Sequence, residues 1–159
     1  MARLQRTIRR EATTGGIGFI TGADVTVRFL PAVENHGIVF QRVDLAEKPC
    51  VPASLDSLIS RQRRTGLNAN GATVELVEHV LSALAGLQVD NCLVQLNAPE
   101  TPGFDGSCQA VVDCLMEAGF EEQTAPRNVL AVDRDYWLVD DDGSTIQACP
   151  ADAPGMTLT

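Results

Sequence analysis

A chain of 159 residues with 45% hydrophobic and 21% charged residues is long enough to bury one core and to begin a second. Its formal net charge of -9 argues against sequence-independent nucleic-acid binding, which needs a clustered positive surface. No apolar run is long enough to span a bilayer, and the basic opening Arg3-Leu4-Gln5-Arg6 leads into no signal-peptide core, so the expected compartment is the cytoplasm.

Gly15-Gly16-Ile17-Gly18 and Thr21-Gly22 break up the opening segment and read as turns; the lysine-containing phosphate-loop spacing is absent. Val25, Val27 and Phe29 then alternate with polar residues, as on a strand with one buried face. Glu34-Asn35-His36-Gly37 reads as a turn, with 38–42 returning as the second strand of a hairpin and His36 as a turn residue rather than a ligand. The stretch 50–71 is irregular and ends in the turn signal Asn68-Ala69-Asn70-Gly71. In its midst Arg61-Gln62-Arg63-Arg64 is a basic island of the kind that more often forms a solvated face than a phosphate site.

A helix is expected over 73–87, because Val77, Val80, Leu81, Leu84 and Leu87 recur at spacings of three and four. Thr73 is its expected N-cap, and Gly86 falls near its end. A buried strand follows over 91–97, then a loop, then a second helix in which Ser107 can act as cap and Gly119 as stop. Beyond Pro126 the pattern changes to short strands at 129–132, 136–139 and 144–149, with a fourth beginning at 156–159 and a turn at Asp140-Asp141-Asp142-Gly143. These would leave a sheet with one uncovered apolar face. The expected fold is α+β: a two-layer sheet-and-helix domain over 1–126, followed by the opening strands of an incomplete second domain of similar type over 127–159.

Five cysteines, Cys50, Cys92, Cys108, Cys114 and Cys149, show no close pairing and read as small hydrophobes, Cys92 and Cys108 above all. The residues with chemical interest are Glu78 and His79. Adjacent helical positions diverge by about 100°, yet both side chains can border one cleft, the imidazole holding a metal and the carboxylate reaching a bound water. By itself a Glu-His pair on a helix is more often two solvated or partly buried side chains. A catalytic zinc takes three protein ligands, and no second histidine stands four residues from His79.

Several segments together resemble the bacterial UDP-3-O-acyl-N-acetylglucosamine deacetylase family of lipid A synthesis. They are Gln5-Arg6-Thr7, the run from Gly16 to Gly22, Val77-Glu78-His79-Val80-Leu81-Ser82-Ala83-Leu84-Ala85-Gly86-Leu87, Asp90-Asn91, and the loop from Asn97 through Pro99-Glu100 to Asp105-Gly106-Ser107. The resemblance implies two similar α+β domains, with this chain supplying the first and the opening of the second. It implies zinc as cofactor, His79 as one metal ligand and Glu78 as the general base that takes a proton from the attacking water. The family's other ligands, a histidine and an aspartate one helical turn apart, belong to its second domain and have no counterpart here. Ile20 stands where the family usually has a histidine, and Leu76 where it usually has a threonine. Asp105 reads as structural, closing the turn before Ser107.

The substrate so implied is a UDP-acyl-glucosamine. The missing part of the site would come from a separate C-terminal half or from self-association. The other readings are a non-catalytic relative that binds a partner through its uncovered face, and a truncated chain with no activity of its own.

Overall fold

The computed structural model describes residues 3–151, which fall into two compact units: one from Arg3 to Arg127, the other from Asn128 onward. In the first, strands β1 (Leu4–Ile8), β2 (Ala12–Ile17), β3 (Asp24–Pro31), β4 (Ile38–Arg42) and β5 (Cys50–Pro52) are followed by a 3₁₀ turn at Leu55–Ser57. Then come β6 (Leu58–Ile59), β7 (Gly66–Ala69), β8 (Ala72–Glu75), α1 (Glu78–Gly86), β9 (Cys92–Leu96), α2 (Gln109–Ala118) and β10 (Phe120–Pro126). The strands make a five-stranded sheet in the order β2-β3-β9-β4-β5, a three-stranded sheet β6-β7-β8, and the pair β1-β10.

Alternation along β3 does what the sequence pattern requires. Val25, Val27 and Phe29 enter the core, and Thr26 and Arg28 stay outside. Against that buried face pack Val80, Ala83 and Leu84 of α1 and Val111, Leu115 and Ala118 of α2, in one cluster with Phe40, Val94 and Leu96. This is the expected sheet-and-helix arrangement, mixed α+β. Gly119, at φ 69, stops α2 as expected. The helix starts one residue after the expected cap: Cys108 takes the N-cap position, and Ser107 Oγ accepts the Gln109 N–H at 3.2 Å.

Four expectations are corrected. The segment from 38 to 42 does not form a hairpin with β3, because β9 lies between them, antiparallel to β3 and parallel to β4. The turn residues are real, Asn35 and Gly37 both having positive φ, but the connection 32–37 crosses the end of β9. There Gly37 accepts the Cys92 N–H and gives its own N–H to Asn91 Oδ1. The helix over 73–87 loses its first turns to β8. Asn70 (φ 51) and Gly71 (φ 76) form the two-residue turn of a β7–β8 hairpin, with Ala69 opposite Ala72. Leu76, at φ 59, then breaks the chain direction before α1 begins, and Thr73 is a strand residue, not a cap.

The glycines before residue 18 lie within β2 rather than in a turn. A side chain at Gly15 would put its Cβ 2.7 Å from Val25 O on the neighbouring strand, so the close approach of β2 and β3 requires glycine. Only 18–23 is a turn, closed by the Gly22 N–H to Gly18 O. Finally, 129–132 is not a strand.

Sequence patterning misses β1 and β10 because their anchors are polar. Asn91, 1% exposed, donates through Nδ2 to Gln5 Oε1 (2.8 Å) and Gln123 Oε1 (2.7 Å). Thr7 Oγ1 donates to Asn91 O, and Asp90 accepts the Arg6 N–H and the Arg3 guanidinium. The matched segments 5–7 and 90–91 are thus one structural seam.

The second unit, as described, contains β11 (Tyr136–Val139) paired antiparallel with β12 (Thr145–Ala148). The expected Asp140–Gly143 turn joins them, with Gly143 at φ 85. Trp137, Leu138 and Ile146 are each more than 60% exposed. The strand expected at 156–159 lies outside the described residues. Among those residues, no helix is long and apolar enough to cross a membrane.

Candidate active site

Glu78 and His79 open α1, and both are half-buried. The preceding loop is drawn onto the helix start by charge. Glu75, the last residue of β8, accepts Arg61 Nε at 2.7 Å and Arg64 Nε at 3.1 Å. The basic island is largely solvated, Arg61, Gln62 and Arg63 being exposed, and two of its three arginines also hold one carboxylate. Thr65, pulled in by this clamp, donates its N–H to Glu78 Oε2 at 3.0 Å and accepts the Val77 N–H. One oxygen of Glu78 is thereby fixed, which aims the other.

A second strut comes from the loop after β9. Pro99 O accepts the Glu75 N–H at 2.8 Å, Thr101 N–H returns to Glu75 O, and Thr101 Oγ1 donates to Leu76 O at 2.5 Å. Those bonds hold Leu76 in its left-handed conformation, one that a bulky side chain rarely adopts. Between them Glu100, fully buried, receives the N–H of Ile20 (2.8 Å), the N–H of Thr21 (2.6 Å) and Thr21 Oγ1 (2.5 Å). Burial pushes the Glu100 carboxyl upward, but the Thr21 hydroxyl and the backbone N–H groups of Ile20, Thr21 and Phe19 outweigh it, leaving the group below its ordinary value.

That shift has a sign. A carboxylate whose folded value is depressed contributes stability above the unfolded value, about 4.3, and loses it as pH falls through the lower folded value. Between pH 6 and pH 3 the chain is expected to lose stability by urea denaturation, and Glu100→Gln should flatten part of that decline. An acid limb of unchanged slope in the variant would remove Glu100 from the account. Glycine at 18 belongs to the same contact, since a Cβ there would collide with the Glu100 carboxylate, its Cδ lying 2.8 Å away. Gly18→Ala is expected to destabilise the chain by about 1–3 kcal/mol, read from the urea midpoint.

Of the other sequence candidates, His36 is a turn residue, its Nδ1 3.1 Å from Gly37 O. Asp105 Oδ1 accepts the N–H and Oγ of Ser107, which closes the turn as expected and holds its carboxyl below the ordinary range. Cys92 is buried, which pushes its thiol up to about 12 and makes it inert as a nucleophile. Cys108 is only half-buried. Sequence reasoning missed the part played by Glu100 and by Thr65; only the acidic residue inside the Pro99–Pro102 loop hinted at the first.

Measured against a catalytic zinc, which takes three protein ligands and an open position, these side chains fall short. Among the described residues no three His, Cys, Asp or Glu side chains gather where they could hold a metal ion.

Residues 5–159 match the family model described as UDP-3-O-acyl N-acetylglycosamine deacetylase, LpxC. The chain belongs to this family. A bifunctional enzyme LpxC/FabZ of Chlorobaculum tepidum is 39% identical over 155 residues, 97% of this chain and 33% of that protein. The UDP-3-O-acyl-N-acetylglucosamine deacetylase of Myxococcus xanthus is 39% identical over 87% of this chain and 44% of its own length. The protein of that name from Stenotrophomonas maltophilia is 43% identical over 80% of this chain and 42% of its own length. The chain therefore spans less than half the length of each of these relatives.

Proposed function

We propose that this chain contributes the Glu78–His79 side of a zinc deacetylase that removes acetate from UDP-3-O-acyl-N-acetylglucosamine in lipid A synthesis, the remaining metal ligands lying outside residues 3–151. The observation that carries the reading is Glu78 at the start of α1, one oxygen anchored by the Thr65 N–H, beside His79. Glu78 takes a proton from the water that adds to the acetamide carbonyl. The carbon–nitrogen bond then breaks, the proton passes to the departing nitrogen, and the products are the sugar amine and acetate. Family membership and the absence of a three-ligand cluster among the described residues support a site completed from elsewhere.

Zinc content by elemental analysis and acetate release test this, on the chain alone and with a polypeptide carrying a His-x-x-x-Asp helix. The chain alone should hold less than one zinc and turn nothing over. The complemented protein should hold one, lost in His79→Ala, and should release acetate. Complementation that restores neither would sink the proposal. A second reading, a non-catalytic interaction module, is favoured by the exposed apolar residues of β11 and β12 and predicts partner binding without turnover.

A further inference from the structure

Burying a carboxylate is costly unless its oxygens are matched by donors, so a fully buried glutamate that forms no ion pair among the described residues calls for a reason. Glu100 has one: three hydrogen-bond donors within 2.8 Å, all from the turn 18–23, about eighty residues earlier in the chain. The segment 99–101 that carries Glu100 is bound on its other side to the β8–α1 junction, through Pro99 O and through the N–H and hydroxyl of Thr101. It is also flanked by the Gly18–Pro102 bridge and by the Gly103 N–H to Ile17 O at 3.1 Å. Gly18 leaves room for the carboxylate where any side chain would strike it.

We propose that Glu100 is a positioning residue that locks the backbone of Ile20 and Thr21 to the junction from which Glu78 and His79 project, so that the turn and the helix start behave as one rigid body. The turn needs such a lock. Phe19 is 81% exposed and Ile20 48%, so little apolar burial holds it in place. Hydrogen bonds to an ionised acceptor are about twice as strong as neutral ones and can do the work that packing does not. The inference concerns mechanics only and stands whether or not the chain is a deacetylase.

Amide hydrogen exchange on the whole chain tests it, with Leu115 in α2 as the report on global stability. In Glu100→Gln, the amide oxygen can serve the Thr21 N–H and hydroxyl, but the new NH2 then faces the Ile20 N–H, donor against donor. Protection of the Ile20 amide is expected to fall at least about tenfold relative to Leu115, and further than that of Thr21. Thr21→Ala, at an exposed position that should fold normally, removes one donor and should loosen both amides by about threefold. Thr101→Val, which cuts the bond to Leu76 on the opposite side, should lower protection at Ile20 and Thr21 as well. Ile20 and Thr21 amides that keep their protection relative to Leu115 in Thr21→Ala and Thr101→Val would overturn the proposal.

Discussion

Replacing Glu78 with glutamine in the complemented protein is expected to cut the rate of acetate release by about 10²–10⁴-fold while leaving the urea midpoint of the chain unchanged. Glutamine has the same shape, and its carbonyl oxygen can still accept the Thr65 N–H that now reaches Glu78 Oε2 at 3.0 Å. The Arg61–Glu75–Arg64 clamp does not involve position 78, so the loop should stay on the helix start. What glutamine lacks is affinity for a proton, and the proposed role of Glu78 consists of that alone. Initial rates of acetate release with the complemented variant give the comparison. A variant that keeps more than half the rate would move the base elsewhere and leave Glu78 as a partner of Thr65. Loss of rate together with loss of stability would instead place Glu78 among the residues that build the loop.

The elements legible from the sequence are those whose burial has a single period. On β3, Val25, Val27 and Phe29 alternate because one face meets the helices, and on α2 Val111, Leu115 and Ala118 follow the helical repeat up to Gly119. Where two periods coexist, the reading fails. Val74 and Val77 continue the helical spacing of Val80, Leu81 and Leu84, so β8 looks like the beginning of α1 until its pairing with β7 across the Asn70-Gly71 turn and the positive φ of Leu76 are known. β1 and β10 escape detection because Gln5, Thr7 and Gln123 face partners with amides and hydroxyls instead of hydrocarbon.

The candidate site divides in the same way. Adjacent positions on one helix bring Glu78 and His79 together, and that much is local. The anchoring of Glu78 depends on Thr65, thirteen residues earlier, and Thr65 is placed by ion pairs to Glu75. Glu100 depends on donors eighty residues away. No spacing within the chain announces a contact whose two sides are joined only by the sheet between them.

Asn91 provides the largest expected change in stability, and the reason lies in what its removal strands. The side chain is bonded at both ends: Oδ1 accepts the Gly37 N–H at 2.8 Å, and both Nδ2 hydrogens are used, one to Gln5 and one to Gln123. Gln5 cannot compensate by turning its amide over. Its Oε1 also accepts the Asn35 N–H at 2.8 Å, while its Nε2 donates to Asn35 Oδ1 and Pro126 O. Asn91→Ala would leave the part-buried Gly37 N–H and the Gln123 oxygen without this partner and the Gln5 oxygen with one donor instead of two, all shared through one network, so a loss of about 3 kcal/mol is expected. Asn91→Asp should be no better: it keeps the acceptor for Gly37 but turns a second oxygen toward Gln5 Oε1 and Gln123 Oε1. Gln109→Ala, on the exposed side of α2 where only an i,i+4 bond to Asp113 is lost, should cost about 0.5 kcal/mol or less. Urea denaturation of the three variants decides between this network and a solvated one. If Asn91→Ala costs less than about 1 kcal/mol, water can replace the amide, and the seam joining β1, β9 and β10 is held by its backbone bonds.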